Sequence, residues 1–150
     1  MGEVFRSESV LMTEEYGRRL AGELKSGSVV AFFGGMGMGK THFTRGIAEG
    51  MGITQAVSSP TFAIVNEYRG GGRLLCHFDM YRIEGFDDLY STGFFDYLDG
   101  GAVLAIEWSE NIEDSGALPE ETIWIDIRRL GENSREFLIE GYERFENLVD

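Results

Sequence analysis

The first third of the chain changes from a helical to a strand-like pattern of hydrophobic positions and back. Three apolar residues recur every four positions along one helical face: Tyr16, Leu20 and Leu24. This spacing predicts a helix over residues 13–25, with Thr13 as its N-cap. Residues 28–33 are mainly β-branched and aromatic, which predicts a strand covered on both faces. Helical spacing resumes over residues 40–51, so the glycine-rich stretch at 34–39 lies between a strand and a helix.

The middle of the chain contains the pattern of a hairpin. Residues 61–68 and 73–78 are rich in strand-forming residues, and the three glycines at 70–72 tolerate the positive φ angles of a tight turn. We therefore predict an antiparallel pair. Residues 86–99 are rich in aromatic and acidic residues, and their spacing predicts one or two short helices.

Three further segments have strand patterns. Residues 102–106 form a second apolar run, which is typical of a buried strand and is followed directly by Glu107. Residues 122–128 alternate isoleucines with other residues, and residues 136–141 are a plausible partner strand. The acidic segment 143–150 is interpreted as a solvated helical end.

Length and charge narrow the functional classes. A chain of 150 residues predicts a single domain over residues 1–150. The formal charge of −13 repels phosphate backbones, so autonomous binding to nucleic acid is disfavoured. Cys76 is the single cysteine, which fits a reducing compartment such as the cytoplasm. We expect no signal peptide and no membrane span.

The glycine-rich stretch contains a complete phosphate-binding motif. Residues 34–41, GGMGMGKT, satisfy G-x-x-x-x-G-K-[ST]. In this motif the loop N–H groups surround phosphate oxygens, and the positive end of the following helix faces the same anion. Lys40 would reach the β and γ phosphates, and Thr41 would offer its hydroxyl to Mg²⁺. The alternative, a glycine-rich surface turn, is disfavoured by the strand and helix predicted on either side.

Two carboxylates are candidates for the chemistry around a bound phosphate. Glu107 at the end of a buried strand is placed as a Walker B acid would be, although Asp is commoner there. Asp79, in the segment HFDMYR, could orient a water or a metal-bound water, or could be a solvated turn acid or a partner of Arg82.

His77 is interpreted as a half-buried strand residue outside the site, and Cys76 as a small core residue. Residues 58–61 could be a plain loop or a switch that senses the γ-phosphate.

Four segments together resemble the TsaE family of bacterial P-loop ATPases. They read GGMGMGKT, SSPTFAIVNEY, HFDMYR and AIEWSE, and the likeness spans about residues 9–142. The resemblance implies an α/β, P-loop NTPase-like, three-layer domain with a mixed, mainly parallel central sheet and an antiparallel hairpin. It also implies an ATPase that acts with TsaD and TsaB in making threonylcarbamoyladenosine in tRNA, with ATP and Mg²⁺ as cofactors. Weak hydrolysis by the isolated protein, activation by the partner complex and only indirect contact with tRNA are expected.

The resemblance also assigns roles to individual positions. The residues implied to bind nucleotide are Thr13, Gly37, Met38, Gly39, Lys40, Thr41, His42, Asp79 and Arg135. Lys40, Asp79 and Glu107 are the implied catalytic residues, and Thr41 with Glu107 is the implied magnesium pair. Ser59, Pro60 and Thr61 match a switch-like segment of the family. The chain departs from the usual family loop by having Gly35 where an Asp is common, Met38 for Ala and His42 for Thr or Ser.

Other classes of P-loop protein remain as alternatives. A small-molecule kinase would need an acceptor pocket and usually an arginine-bearing lid, and the arginines here show no lid-like cluster. A GTP-dependent switch normally contains N-K-x-D, and none of the asparagines is followed by lysine. A purely structural partner protein with a vestigial loop would still support tRNA modification after replacement of Lys40 by alanine.

Overall fold

The computed structural model of the chain describes residues 3–33, 39–55, 57, 65–80, 83–84, 86–108 and 118–141. In these residues the elements follow one another as β1 (Glu3–Ser7), α1 (Val10–Ala21), β2 (Val29–Phe33), α2 (Lys40–Gly50), β3 (Val65–Gly70), β4 (Arg73–Asp79), α3 (Phe86–Ser91), α4 (Phe94–Asp99), β5 (Val103–Glu107), β6 (Ile123–Arg129) and β7 (Arg135–Glu140). None of the described helices is long and apolar enough to cross a membrane.

The strands of the described residues form one mixed sheet. Its order is β1-β7-β6-β2-β5-β4-β3. The central pairs β6–β2, β2–β5 and β5–β4 are parallel, and β1–β7, β7–β6 and β4–β3 are antiparallel. The predicted α/β fold with a mixed sheet, parallel in its centre, is therefore confirmed. The carboxyl ends of β2, β4 and β5 meet at one edge, where ligands bind in open parallel sheets.

Helices cover both faces of the sheet, so the fold has three layers. On one face Leu20 of α1 and Phe43 and Ile47 of α2 pack against Val30 and Phe32 of β2. On the other face the core is formed by side chains from the two short helices and from β4 and β5: Leu89, Phe94, Cys76, Phe78, Leu104 and Ile106. Successive residues of β5 alternate between the two cores, which explains why its sequence is a continuous apolar run.

Helices α1 and α2 approach each other closely because glycines face the contact. A Cβ on Gly46 would collide with the backbone carbonyl of Glu14, and one on Gly17 would collide with the carbonyl of Phe43. The missing side chains let the two backbones touch. This close contact fixes α2, and with it Lys40, against the rest of the fold.

The first helix differs from its prediction. It begins at Val10 and ends at Ala21, where residues 13–25 were expected. The N-cap is Ser9, whose Oγ accepts a hydrogen bond from the Met12 N–H at 3.1 Å. Thr13 is therefore not the cap, because an earlier hydroxyl already fills that role.

Strand β1 was not predicted. Val4 and Arg6 are exposed while Phe5 and Ser7 are buried, so only one large apolar residue marks the inward face. The strand forms because β7 offers an antiparallel partner from Arg135 to Ile139. The other predicted elements are present with ends shifted by a few residues, and residues 86–99 form two helices, α3 and α4. The start of the first hairpin segment, residues 61–64, and the acidic segment 143–150 lie outside the described residues.

Candidate functional site

The predicted phosphate-binding loop has the expected strand before it and the expected helix after it. β2 ends at Phe33 and α2 begins at Lys40. Gly39 is the N-cap of α2 with a φ of 98°, a left-handed conformation that favours glycine, and it has no side-chain cap. The N–H groups of the first turn point toward this end of α2, where the positive end of the helix dipole favours an anion. Gly37 and Met38, which were predicted to bind phosphate, lie outside the described residues.

Lys40 is buried beside the carboxylate predicted to act with it. Its side chain is 3% exposed, and its Nζ lies 3.9 Å from Oε1 of Glu107. The same Nζ lies 5.4 Å from the ring centroid of Trp108, within the range of a cation–π contact. Trp108 has a φ of 59°, a left-handed conformation that is unusual for a bulky residue. The structure thus joins residues from α2 and β5 that are 67 positions apart in the chain.

Glu107 is also held from a second side. The Nε2 of His77 lies 2.6 Å from Oε2 of Glu107, and the imidazole is fully buried. A carboxylate oxygen accepts, so the ring N–H of Nε2 is the donor. The interpretation of His77 as a half-buried residue outside the site was therefore wrong. The alternation along β4 was the available signal, because His77 and Asp79 share one face of a strand.

Asp79 lies beside Glu107 in the sheet. It is the last residue of β4, and its Cα is the register partner of Glu107 in the parallel β4–β5 pair. Directly after it, the Met80 N–H donates to the Glu107 carbonyl at 3.0 Å. Asp79 is partly exposed. The predicted pair of acids thus stands side by side at the carboxyl edge of the sheet.

Thr41 and His42 occupy the first turn of α2, as predicted. His42 Nδ1 lies 3.4 Å from a guanidinium nitrogen of Arg45 and 3.8 Å from Oε2 of Glu14. Arg45 lies 3.5 Å from the same Glu14 oxygen and donates a hydrogen bond to the Val57 carbonyl at 3.2 Å. The imidazole of His42 therefore belongs to a polar network between α1 and α2. The switch-like segment with Ser59, Pro60 and Thr61 lies outside the described residues.

Arg135 stands next to the start of α2. Its Nε lies 3.8 Å from the position that a Cβ on Gly39 would occupy. Its Nη1 donates to the carbonyls of Gly131, Glu132 and Ser134 at 3.1, 3.4 and 2.9 Å. Its Nε is buried and has no hydrogen-bond partner among the described residues. Arg135 thus lies beside the start of α2 although β7 is far from the loop in sequence, and its nucleotide-binding role stays a prediction.

Thr13 is engaged elsewhere in the described structure. Its side chain is buried, and its Oγ1 lies 2.7 Å from the hydroxyl of Ser7. These contacts join α1 to β1. In the described part of the chain they do not link Thr13 to Lys40 or Glu107, so its nucleotide-binding role stays a prediction.

The arrangement suits a phosphate anion accompanied by a hard cation. Lys40 and the α2 N-terminus supply positive potential, and Thr41 and Glu107 carry oxygen groups of the kind that Mg²⁺ prefers. The described residues contain no group of three or more histidine, cysteine or acidic side chains able to hold a metal by themselves. A magnesium ion here would need phosphate oxygens among its ligands, as is usual in nucleotide sites.

Comparison with known proteins gives one consistent family. Residues 7–137 match the family described as "Threonylcarbamoyl adenosine biosynthesis protein TsaE". A Bacillus subtilis protein named tRNA threonylcarbamoyladenosine biosynthesis protein TsaE is 40% identical over 139 residues, which are 92% of this chain and 85% of that protein. A Treponema pallidum protein of the same name is 37% identical over 134 residues, covering 89% of this chain and 96% of its own length.

Among solved structures, a crystal structure of YdiB from Bacillus subtilis is similar to this chain with a TM-score of 0.76 and 34% identity. The match covers 99% of this chain and 91% of that one. The fold is therefore shared over nearly the full length of both proteins.

Proposed function

Because the chain belongs to the TsaE family, we propose that it is a Mg²⁺-dependent ATPase that serves threonylcarbamoyladenosine biosynthesis in tRNA. The observation that carries the ATPase part is the pairing of buried Lys40 with Glu107 across 3.9 Å at the edge where a nucleotide would lie. A lysine after a glycine loop and an acid at the end of the neighbouring strand are the two side-chain elements that P-loop enzymes use for phosphoryl chemistry.

The proposed roles follow from position. Backbone N–H groups of residues 37–42 and the ammonium of Lys40 bind the phosphates. Thr41 and Glu107 hold Mg²⁺, which when bound neutralises charge on the phosphate oxygens. Asp79 or Glu107 orients the attacking water, since both lie at the same edge of the sheet. Arg135 lies beside Gly39, at the end of the loop, and binds the nucleotide from there.

The partners and the compartment are part of the proposal. A protein with a formal charge of −13 is poorly suited to grip tRNA by itself, so contact with tRNA is indirect, through a complex of TsaD and TsaB. ATP hydrolysis would reset or regulate that complex, and the partner would complete the site as activators do in trans. The protein would act in the cytoplasm.

Replacement of the loop lysine tests the nucleotide site. The chain has two lysines, buried Lys40 and exposed Lys25, so Lys25→Ala is a matched control for Lys40→Ala. We expect Lys40→Ala to lose ATP binding in calorimetric titration and tRNA modification in an assay reconstituted with TsaD and TsaB, whereas Lys25→Ala keeps both. Lys40→Met, which preserves most of the side-chain volume, separates loss of charge from loss of packing.

Three results would contradict the proposal. A folded Lys40→Ala variant that supports normal modification would show that the loop is vestigial. An unchanged ATP hydrolysis rate on addition of TsaD and TsaB would exclude activation by the partners. Transfer of the γ-phosphate to a hydroxylated metabolite instead of water would favour a kinase.

A further inference from the structure

His77 makes a buried hydrogen bond to Glu107 that the proposed roles above do not use. His77 is fully buried and its Nε2 lies 2.6 Å from Oε2 of Glu107. The other carboxylate oxygen, Oε1, is the one that faces Lys40 Nζ at 3.9 Å. Each oxygen of Glu107 therefore has a different neighbour, and the carboxylate has one defined orientation.

The sheet register explains how the histidine reaches this position. β4 and β5 are parallel, with His77 opposite Ala105 and Asp79 opposite Glu107. All four residues project to the face covered by α1 and α2, since Leu75 and Val103, two positions before His77 and Ala105, belong to the core on that face. The small side chain of Ala105 leaves room for the imidazole to lean along the strands toward Glu107.

The surroundings of the second ring nitrogen, Nδ1, support the hydrogen bond through Nε2 as the main polar contact of His77. Nδ1 is buried and has no hydrogen-bond partner among the described residues. The tautomer with its hydrogen on Nε2 places the N–H where the carboxylate accepts it and leaves no buried donor unpaired at Nδ1. The hydrogen bond to Glu107 is thus the polar interaction that the described structure assigns to this side chain.

We propose that His77 is a positioning residue that anchors Oε2 of Glu107, so that Oε1 stays directed toward Lys40 and the metal–nucleotide complex. This inference rests on the proposed ATPase function. Acids that hold or orient a metal need hydrogen bonds to their remaining oxygen, and loss of such a bond typically lowers metal affinity or activity about 10- to 100-fold. Without the imidazole, Oε2 of Glu107 loses its anchor and the carboxylate turns out of the orientation that suits the metal, while Lys40 stays able to bind phosphate.

Four variants separate positioning from packing. His77→Leu keeps much of the volume and removes the donor. His77→Gln places an amide N–H close to the position of Nε2, whereas His77→Asn places its amide near Nδ1, too far from Glu107. Gln and Asn are therefore a matched pair of neutral amides that differ in reach. Glu107→Gln is the reference for loss of the carboxylate itself.

The measured quantity is the affinity for the non-hydrolysable analogue AMP-PNP, by tryptophan fluorescence, in EDTA and in excess MgCl₂. We expect His77→Leu and His77→Asn to keep the wild-type affinity in EDTA and to lose about tenfold or more of the Mg²⁺-dependent gain, as Glu107→Gln does. His77→Gln should restore most of the gain. The hydrolysis rate kcat should fall in the same order while KM for ATP changes less. Thermal unfolding of each variant shows whether it is folded.

The outcomes distinguish this inference from the proposed function. If wild-type protein binds AMP-PNP in neither condition, the ATPase proposal fails and His77 has no reaction to assist. If wild type and Glu107→Gln behave as expected but a folded His77→Leu or His77→Asn keeps the full Mg²⁺-dependent gain, the positioning role alone is refuted. Equal defects in His77→Gln and His77→Leu would also refute it, because the loss would then follow from packing and not from the hydrogen bond.

Discussion

Substitution of Gly46 by alanine tests the close contact between α1 and α2. Gly46 lies inside α2, and an added Cβ would collide with the carbonyl oxygen of Glu14, which is backbone and cannot rotate away. The two helices would have to separate. Gly22 is the matched control, because it has a helical φ of −65° and an added Cβ there would meet only the Arg19 carbonyl at 3.4 Å, an ordinary contact.

Two opposing contributions set the change in the free energy of unfolding for Gly46→Ala. Alanine in a helix interior is favoured over glycine by about 1 kcal/mol. Overpacking of a tight contact typically costs about 1–3 kcal/mol, and a collision with backbone is at the upper end of that range. We expect the free energy of unfolding to fall by about 2 kcal/mol, which is a decrease of about 4–8 °C in Tm for a protein of this size. Gly22→Ala should leave stability unchanged or raise it by up to about 1 kcal/mol, because alanine restricts the unfolded chain.

Urea unfolding followed by far-ultraviolet circular dichroism measures both variants. The midpoint should decrease for Gly46→Ala at an unchanged m-value, which attributes the change to stability. A Gly46→Ala protein more stable than wild type by about 1 kcal/mol would show that helix propensity alone acts and that the helices do not touch at this position.

Further predictions concern Cys76 and the tryptophans. Burial raises the pKa of the Cys76 thiol to about 12, so the native protein should resist iodoacetamide at pH 8 and react once unfolded in urea. Because the pKa of the thiol is higher in the folded protein, the unfolded chain loses the thiol proton at a lower pH than the folded protein does. The free energy of unfolding should therefore fall as the pH rises above 9.0, the ordinary pKa of the thiol. Cys76→Val should lack this pH dependence. Of the two tryptophans, Trp108 lies over Lys40 Nζ and Trp124 stacks on Phe33 at 5.1 Å. Trp108→Phe should abolish most of the fluorescence change on nucleotide binding while Trp124→Phe retains it, and the reverse pattern would place the nucleotide away from Lys40.

Local patterns were sufficient to predict most elements of the fold. Strands β2 and β5 were predicted from their continuous apolar runs, and the β3–β4 turn from its glycines. Each of these signals lies within the element that it predicts. The order of the strands was not readable in this way, since β2 pairs with β5 and β6, which are more than seventy residues later in the chain. Edge strand β1 was missed because its formation depends on β7 more than on its own sequence.

The candidate site shows the same division between local and distant information. Lys40 and Thr41 follow from a motif, and Glu107 follows from its position at the end of a buried strand. The contact of His77 with Glu107 was missed because it depends on the register between β4 and β5. The roles of Gly37 and Met38 in binding phosphate and of residues 59–61 as a switch stay predictions.

The position of β2 at the centre of the sheet affects how the protein is made on the ribosome. Both neighbours of this apolar strand are synthesised after it, β5 from residue 103 and β6 from residue 123. Until β5 emerges, the nascent chain presents an unpaired hydrophobic strand, the kind of segment that aggregates or recruits chaperones. The arrangement that places Lys40 beside Glu107 therefore also leaves the central strand of the sheet without a partner until two later strands have been synthesised.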